Sequence, residues 1–135
     1  IEQYIGISKD FNVFELQNAL GTKNILKANM IINYIAKNPK DHPLVVTLFN
    51  FYSYFSKVLM YHYIHDKSNK NAAAILKVHP FFLRDYQVAA KNYLPKNAEK
   101  IISIIREYDR KSKGLNNAST EEGELLKEMV YKILH

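Results

Sequence analysis

The sequence predicts an all-helical fold, a single-domain bundle of about seven helices around a long central helix. Three observations lead to this prediction. Apolar residues recur at spacings of three and four in several segments, which is the period of an amphipathic helix. Strand-like alternation is nearly absent, and the four glycines and four prolines fall mostly between the periodic segments. The chain has 135 residues, 47% of them hydrophobic, and is therefore long enough to bury one core.

Two helices are predicted ahead of the central one. The first covers residues 10–20, with Asp10 as its N-cap and Gly21 as its stop signal. The second covers residues 22–37, begins at Thr22 and ends before a proline. Its predicted core-facing residues are Ile25, Ala28, Ile32 and Ile35.

The central helix is predicted over residues 43–66, and apolar side chains cover most of its surface. One apolar stripe contains Leu44, Leu48, Phe51, Phe55 and Leu59, and the stripe beside it contains Val45, Phe49 and Tyr52. A helix of this kind must be surrounded by other helices. Its single polar seam is narrow and comprises Thr47, Asn50, Tyr54, Lys57 and Tyr61.

Four further helices are predicted after the central one. A short helix capped by Ser68 or Asn69 is broken at residues 78–80, because the residue before a proline avoids the helical region. The next helix carries Phe82, Tyr86, Ala89, Ala90 and Tyr93 on one face, and a longer helix follows over residues 96–111. After a loop over residues 113–120, the last helix begins at Thr120 and buries Leu125, Leu126, Met129 and Ile133.

Composition excludes several classes of site. The chain has no cysteine, which rules out a disulfide framework, a thiolate metal site and a cysteine nucleophile. Its net charge of +6 is consistent with contact with a polyanion such as nucleic acid, and an excess of this size is equally common on ordinary soluble domains. The central helix lacks an unbroken apolar span of about 18 residues, so no membrane segment is predicted. No secretory signal is recognisable at the N-terminus. Because the chain begins at Ile1 and not at a methionine, we expect it to be a piece of a longer protein.

Two alternative functions start from local patterns. His65 and Asp66 are adjacent, as in metal-dependent HD-type phosphohydrolases, and His42 and Asp109 would complete such a ligand set. Residues 72–90 have the pattern of helix, tight turn and helix, which is typical both of DNA-reading helix-turn-helix modules and of two antiparallel helices in a bundle. In the DNA-reading alternative, Arg84, Gln87 and Lys91 would face the bases.

A basic cluster ends the predicted helix over residues 96–111. It consists of Arg106, Arg110, Lys111 and Lys113. Cations are favoured at a helix C-terminus by the helix dipole, and the same arrangement can hold a phosphate backbone. Both interpretations remain open at this stage.

Three segments carry a family resemblance: DFNVFEL at residues 10–16, AAAILKVHPF at residues 72–81 and YDRKSKG at residues 108–114. Their order and spacing resemble the C-terminal collar domain of the delta subunit of the bacterial DNA polymerase III clamp loader. The resemblance covers nearly the whole chain. It implies that residues 1–9 are the end of a preceding lid domain or a linker, and that residues 10–135 are the helical collar.

The resemblance also implies what the domain does. It would be a non-catalytic, cytoplasmic oligomerisation domain without a cofactor, and its partners would be the gamma or tau and delta-prime subunits. The sliding clamp would be reached only through a separate N-terminal domain, and ATPase activity would reside in other subunits. The expected subunit interface is Asn50, Tyr54, Lys57 and Tyr61. The expected contacts with primer-template DNA are Arg110, Lys111, Lys113, Leu115 and Asn116.

Overall fold

The computed structural model describes residues 11–114 and 121–135, and these residues form an all-helical domain. The seven α-helices are α1 (Val13–Gly21), α2 (Ile25–Ala36), α3 (Leu44–Tyr63), α4 (Asn69–Leu76), α5 (Leu83–Asn92), α6 (Pro95–Ser112) and α7 (Glu122–Leu134). A short 3-10 turn over Pro80–Phe82 precedes α5. No strand occurs in the described ranges. The predicted fold class and number of helices are therefore confirmed.

The first two helices begin at Asn12 and Asn24 and not at the predicted caps Asp10 and Thr22. The side chain of Asn12 accepts a hydrogen bond of 2.9 Å from the backbone N–H of Glu15, and Asn24 caps α2 in the same way. The predicted cap Thr22 instead ends α1, where its hydroxyl donates to the carbonyl of Asn18. Asn, Asp, Ser and Thr are all good N-caps, so residue type alone does not choose among neighbouring candidates. Asp10 and the predicted domain boundary beside it lie outside the described residues.

α3 is the centre of the bundle. It packs most extensively on α6 and α5, and it also contacts α1, α4 and α7, while α2 and α7 pack on each other. The side chains of Phe51, Phe55 and Val58 are fully buried in the main core, together with Tyr93, the C-cap of α5, and Tyr108 of α6. A smaller core of Ile64, Ala72, Leu76 and Leu83 lies where α4 and α5 meet the end of α3. The predicted central position of this helix is confirmed, but its second predicted stripe, Val45, Phe49 and Tyr52, is exposed and not covered by other helices.

The start of α3 is tied to the start of α7. No side chain caps α3 locally, because Pro43 occupies the N-cap position. The Glu122 carboxylate accepts a hydrogen bond of 3.0 Å from the backbone N–H of Leu44 instead. Gly123, the next residue, allows close approach to α2, since an added Cβ would lie 3.0 Å from the Cβ of Ala36. One residue of α7 thus supplies a cap that the sequence around α3 lacks.

Among the described helices, none combines the length and the apolar character that crossing a membrane requires.

Candidate functional site

The predicted polar seam of α3 is only partly accessible. Thr47 is buried and Tyr54 is only 4% exposed. The ring of Tyr54 packs on Tyr86 of α5, with 5.2 Å between the ring centroids. Asn50, Lys57 and Tyr61 are partly exposed, and the side chain of Asn50 donates to the carbonyl of Val46 on its own helix. Tyr54 lies on a side of α3 that α1 and α5 cover. The subunit interface expected at Asn50, Tyr54, Lys57 and Tyr61 stays a prediction.

An apolar stripe is exposed on the opposite side of α3. It consists of Val45, Phe49, Tyr52, Met60 and Tyr63, with Val46 beside it and Ser56 in the middle. These positions are spaced by three or four residues and therefore lie on one face of the helix. Phe49 is 72% exposed. Nine positions separate Val45 from Tyr54, which places Tyr54 about half a turn around the helix axis from the stripe.

The C-terminal half of the stripe borders a groove between α3 and α6. The groove has a volume of about 490 Å³, and its apolar walls include Tyr52, Met60 and Tyr63 of α3. Glu99 and Arg106 of α6 lie at its edge. Exposed apolar surface of this extent with charged residues at its margin is typical of protein interaction sites, which favour Tyr, Phe, Met and Arg.

The basic end of α6 is partly neutralised within the chain. Lys113 lies 3.0 Å from the carboxylate of Asp109, and Lys111 lies 3.3 Å from that of Glu107. Both pairs are one helical turn apart and partly exposed, so each contributes little to stability on its own. Arg110 is exposed and forms no ion pair with the described residues. The other two expected DNA contacts, Leu115 and Asn116, lie outside the described residues.

Lys111 also belongs to a cluster that joins α6 to α7. Its ammonium lies 4.7 Å from the ring centroid of Tyr108, and that of Lys132 lies 5.0 Å from the same ring. The Tyr108 hydroxyl donates to Glu128, and Lys132 contacts the carboxylate of Glu107 at 3.4 Å. Burial acts in the opposite direction, but hydrogen bonds and charge from Lys111 and Lys132 lower the pKa of Glu107. The positive charge of Lys111 is therefore engaged inside the domain.

The alternative metal-ligand set is not assembled. His42 precedes α3 and packs edge-on against Tyr34, whereas His65 and Asp66 follow the other end of this 20-residue helix. A helix of that length spans about 30 Å, far beyond the reach of one metal ion. Asp109 pairs with Lys113 on α6. In the part of the chain that is described, no group of three or more His, Asp or Glu residues has the geometry to hold a metal.

The helix-turn-helix pattern corresponds to α4 and α5. Lys77, in the left-handed conformation, ends α4, and α5 packs on α3 and α1 through its apolar side. Arg84 and Lys91 are exposed, while the side chain of Gln87 donates to Asn69 of α4. Two of the three predicted base-reading side chains thus remain accessible. Phe82, predicted to share one face of this helix with Tyr86 and Ala89, is half exposed.

Comparison of the chain with models of protein families, with curated proteins and with solved structures found no match.

Proposed function

We propose that this chain is a non-catalytic assembly domain of the clamp-loader collar type, which joins neighbouring subunits through the exposed stripe of α3. The observation that carries the proposal is the stripe itself, which keeps large apolar side chains in water along the central helix of the bundle. The order of the three resembling segments supports the same function. In this proposal the domain catalyses nothing, needs no cofactor, and works in the cytoplasm.

The proposed occupant of the stripe is a helix of an adjacent gamma, tau or delta-prime subunit. From Val45 to Tyr63 the stripe extends for about 27 Å, the length of five helical turns. Side chains at three- and four-residue spacing form ridges that pack into the grooves of a second helix. The groove beside Met60 offers a second row of contact, and Arg106 and Glu99 are placed to pair with charges at its rim. The sliding clamp would be contacted by another domain.

Reconstitution with purified partner subunits tests this function. We expect the chain to assemble with gamma or tau and delta-prime, and Phe49→Glu to weaken assembly by at least tenfold, because a charge would be buried against apolar surface. Leu26→Glu is the matched control, since Leu26 is 83% exposed on α2 and lies outside the stripe. Failure of the unmodified chain to assemble would overturn the proposal, and so would equal losses for both variants.

Contact with primer-template DNA is proposed at the end of α6. Arg110 is the best described candidate, because Lys111 and Lys113 are engaged by carboxylates. Removal of one phosphate contact lowers the slope of log affinity against log salt concentration by about 0.9. In the assembled complex, Arg110→Gln should lower the slope by this amount. Arg84→Gln on α5 is the control, because it would lower the slope only if the helix-turn-helix pattern of α4 and α5 contacted the DNA.

A further inference from the structure

A cavity of about 680 Å³ lies between α1, α3 and α5, on the side of α3 opposite the stripe. Phe14 of α1, Tyr54 of α3, and Phe82 and Tyr86 at the start of α5 contribute four aromatic rings to its lining. Its size falls within the range of about 300–1,000 Å³ that is typical of small-molecule sites. Phe14 and Phe82 keep much of their surface exposed, which costs free energy unless something covers them.

The charges around this cavity are negative, in contrast to the rest of the chain. Asp85 and Glu15 are among its lining residues, whereas no Lys or Arg occurs among the described ones. The whole chain has 19 Lys and Arg against 13 Asp and Glu. A cationic ligand is therefore favoured over an anionic one, by charge and by the electron-rich faces of the rings.

The negative charge of Asp85 acts on two of the tyrosines that line the cavity, Tyr86 and Tyr54. Burial raises the pKa of the Tyr86 hydroxyl, and the negative charge of Asp85 raises it further. The pKa of Tyr54 is raised by burial first, then by its neighbours Tyr86 and Tyr93, and also by Asp85. A negative charge that opposes formation of phenolate at these rings stabilises a cation in the same place.

We propose that the cavity between α1, α3 and α5 binds a small organic cation, an ammonium group carried on an aromatic or branched aliphatic body. The rings of Phe14, Phe82 and Tyr86 would enclose the apolar body and face the ammonium, and Asp85 would supply the opposite charge. This inference does not rest on the proposed assembly function, because the cavity and the stripe lie on different sides of α3.

Calorimetric titration of the 135-residue chain with three probes of one shape tests the proposal. The probes are 2-phenylethylamine, which is cationic at neutral pH, its neutral analogue 2-phenylethanol, and the anionic 3-phenylpropanoate. We expect the amine to bind about five- to twentyfold more tightly than the alcohol, and the carboxylate to bind most weakly. Equal binding of the amine and the alcohol, or binding of none of the three, would overturn the proposal.

Variants locate the site. Asp85→Asn should reduce the preference for the amine over the alcohol by about three- to tenfold and leave the affinity of the alcohol unchanged. Asp41→Asn is the matched control, because Asp41 is exposed and does not line the cavity. Phe82→Ala should weaken both probes. An unaltered preference in Asp85→Asn would contradict the assignment. So would tighter binding of a lysine-containing peptide than of the amine, which would assign the cavity to a protein partner.

Discussion

The hydroxyl of Tyr54 lies against the backbone of Gly21, where α1 ends between α3 and α5. A Cβ added at Gly21 would overlap this hydroxyl and lie 3.3 Å from the Cβ of Ala89. Gly21 is the last residue of α1, as predicted, and it is also a site of close packing. Contact with Tyr54, rather than a need for positive φ, explains why the position lacks a side chain.

Gly21→Ala should therefore lower the free energy of unfolding by about 1–3 kcal/mol, as overpacking does in well-packed cores. Adding Tyr54→Phe in the same chain should restore part of the loss, because it removes the atom that the new methyl group meets. Urea unfolding of the two single variants and the double variant measures the coupling. Strictly additive effects would show that the Tyr54 hydroxyl is not the obstacle.

Loss of the hydroxyl should lower the free energy of unfolding at Tyr93 but not at Tyr54. The Tyr93 hydroxyl donates a hydrogen bond of 2.6 Å to the carbonyl of Leu20, whereas the Tyr54 hydroxyl has no hydrogen-bond partner among the described residues. We expect Tyr93→Phe to cost about 1 kcal/mol, and Tyr54→Phe to be neutral or to stabilise by up to about 1 kcal/mol. Chemical denaturation of both variants is the measurement, and a larger loss for Tyr54→Phe would contradict this assignment.

The domain should lose stability at alkaline pH. Burial raises the pKa of Tyr93 to about 12, and the pKa values of Tyr54 and Tyr86 are raised as well. In the unfolded chain these groups ionise near their ordinary value of 10.0, so their contribution is complete below that pH and is lost as the pH rises toward the folded values. Ultraviolet titration of phenolate should show that three tyrosines of the native chain ionise above their ordinary pKa of 10.0, and that in urea none does.

Substitution of Phe49 and of Phe51 tests which side of α3 is buried in the isolated chain. Phe51 is 0% exposed and Phe49 is 72% exposed, although only one residue separates them. Phe51→Ala should lower the free energy of unfolding by about 3–5 kcal/mol, and Phe49→Ala should change it by less than about 0.5 kcal/mol. Thermal and urea unfolding distinguish the two. Equal losses would mean that the stripe is covered within the isolated chain.

Glu107 should stabilise the domain only while it is ionised. Its pKa is lowered by Lys111 and Lys132 despite some burial, so its contribution is present above the ordinary value of 4.5 and is lost as the pH falls through the lower folded value. The side chain is 39% exposed, and solvent screening therefore limits the effect to about 0.5 kcal/mol. Glu107→Gln should be less stable than the natural chain at neutral pH, and the difference should disappear as the pH falls below 4.5, as measured by urea unfolding.

The existence, order and type of the helices could be predicted from the sequence. Periodicity over ten or more residues depends only on which residues are apolar, and the prolines and polar turns separate one segment from the next. The ends of α1 and α2 were less predictable. Asn12 and Asn24 compete with Asp10 and Thr22 for the same capping role, and the choice depends on how each chain segment enters the bundle.

The faces of α3 were decided only by the tertiary structure. Phe49 and Phe51 are the same residue type on the same helix, and periodicity assigns them to two stripes without deciding which stripe is covered. α1 and α5 cover the side of α3 that carries Tyr54, and α6 packs beside the stripe without covering it, so a tyrosine of the apparent polar seam is buried and a phenylalanine is exposed. The sequence alone determined how much apolar surface α3 carries. Only the packing of the neighbouring helices determined which part of that surface stays in water.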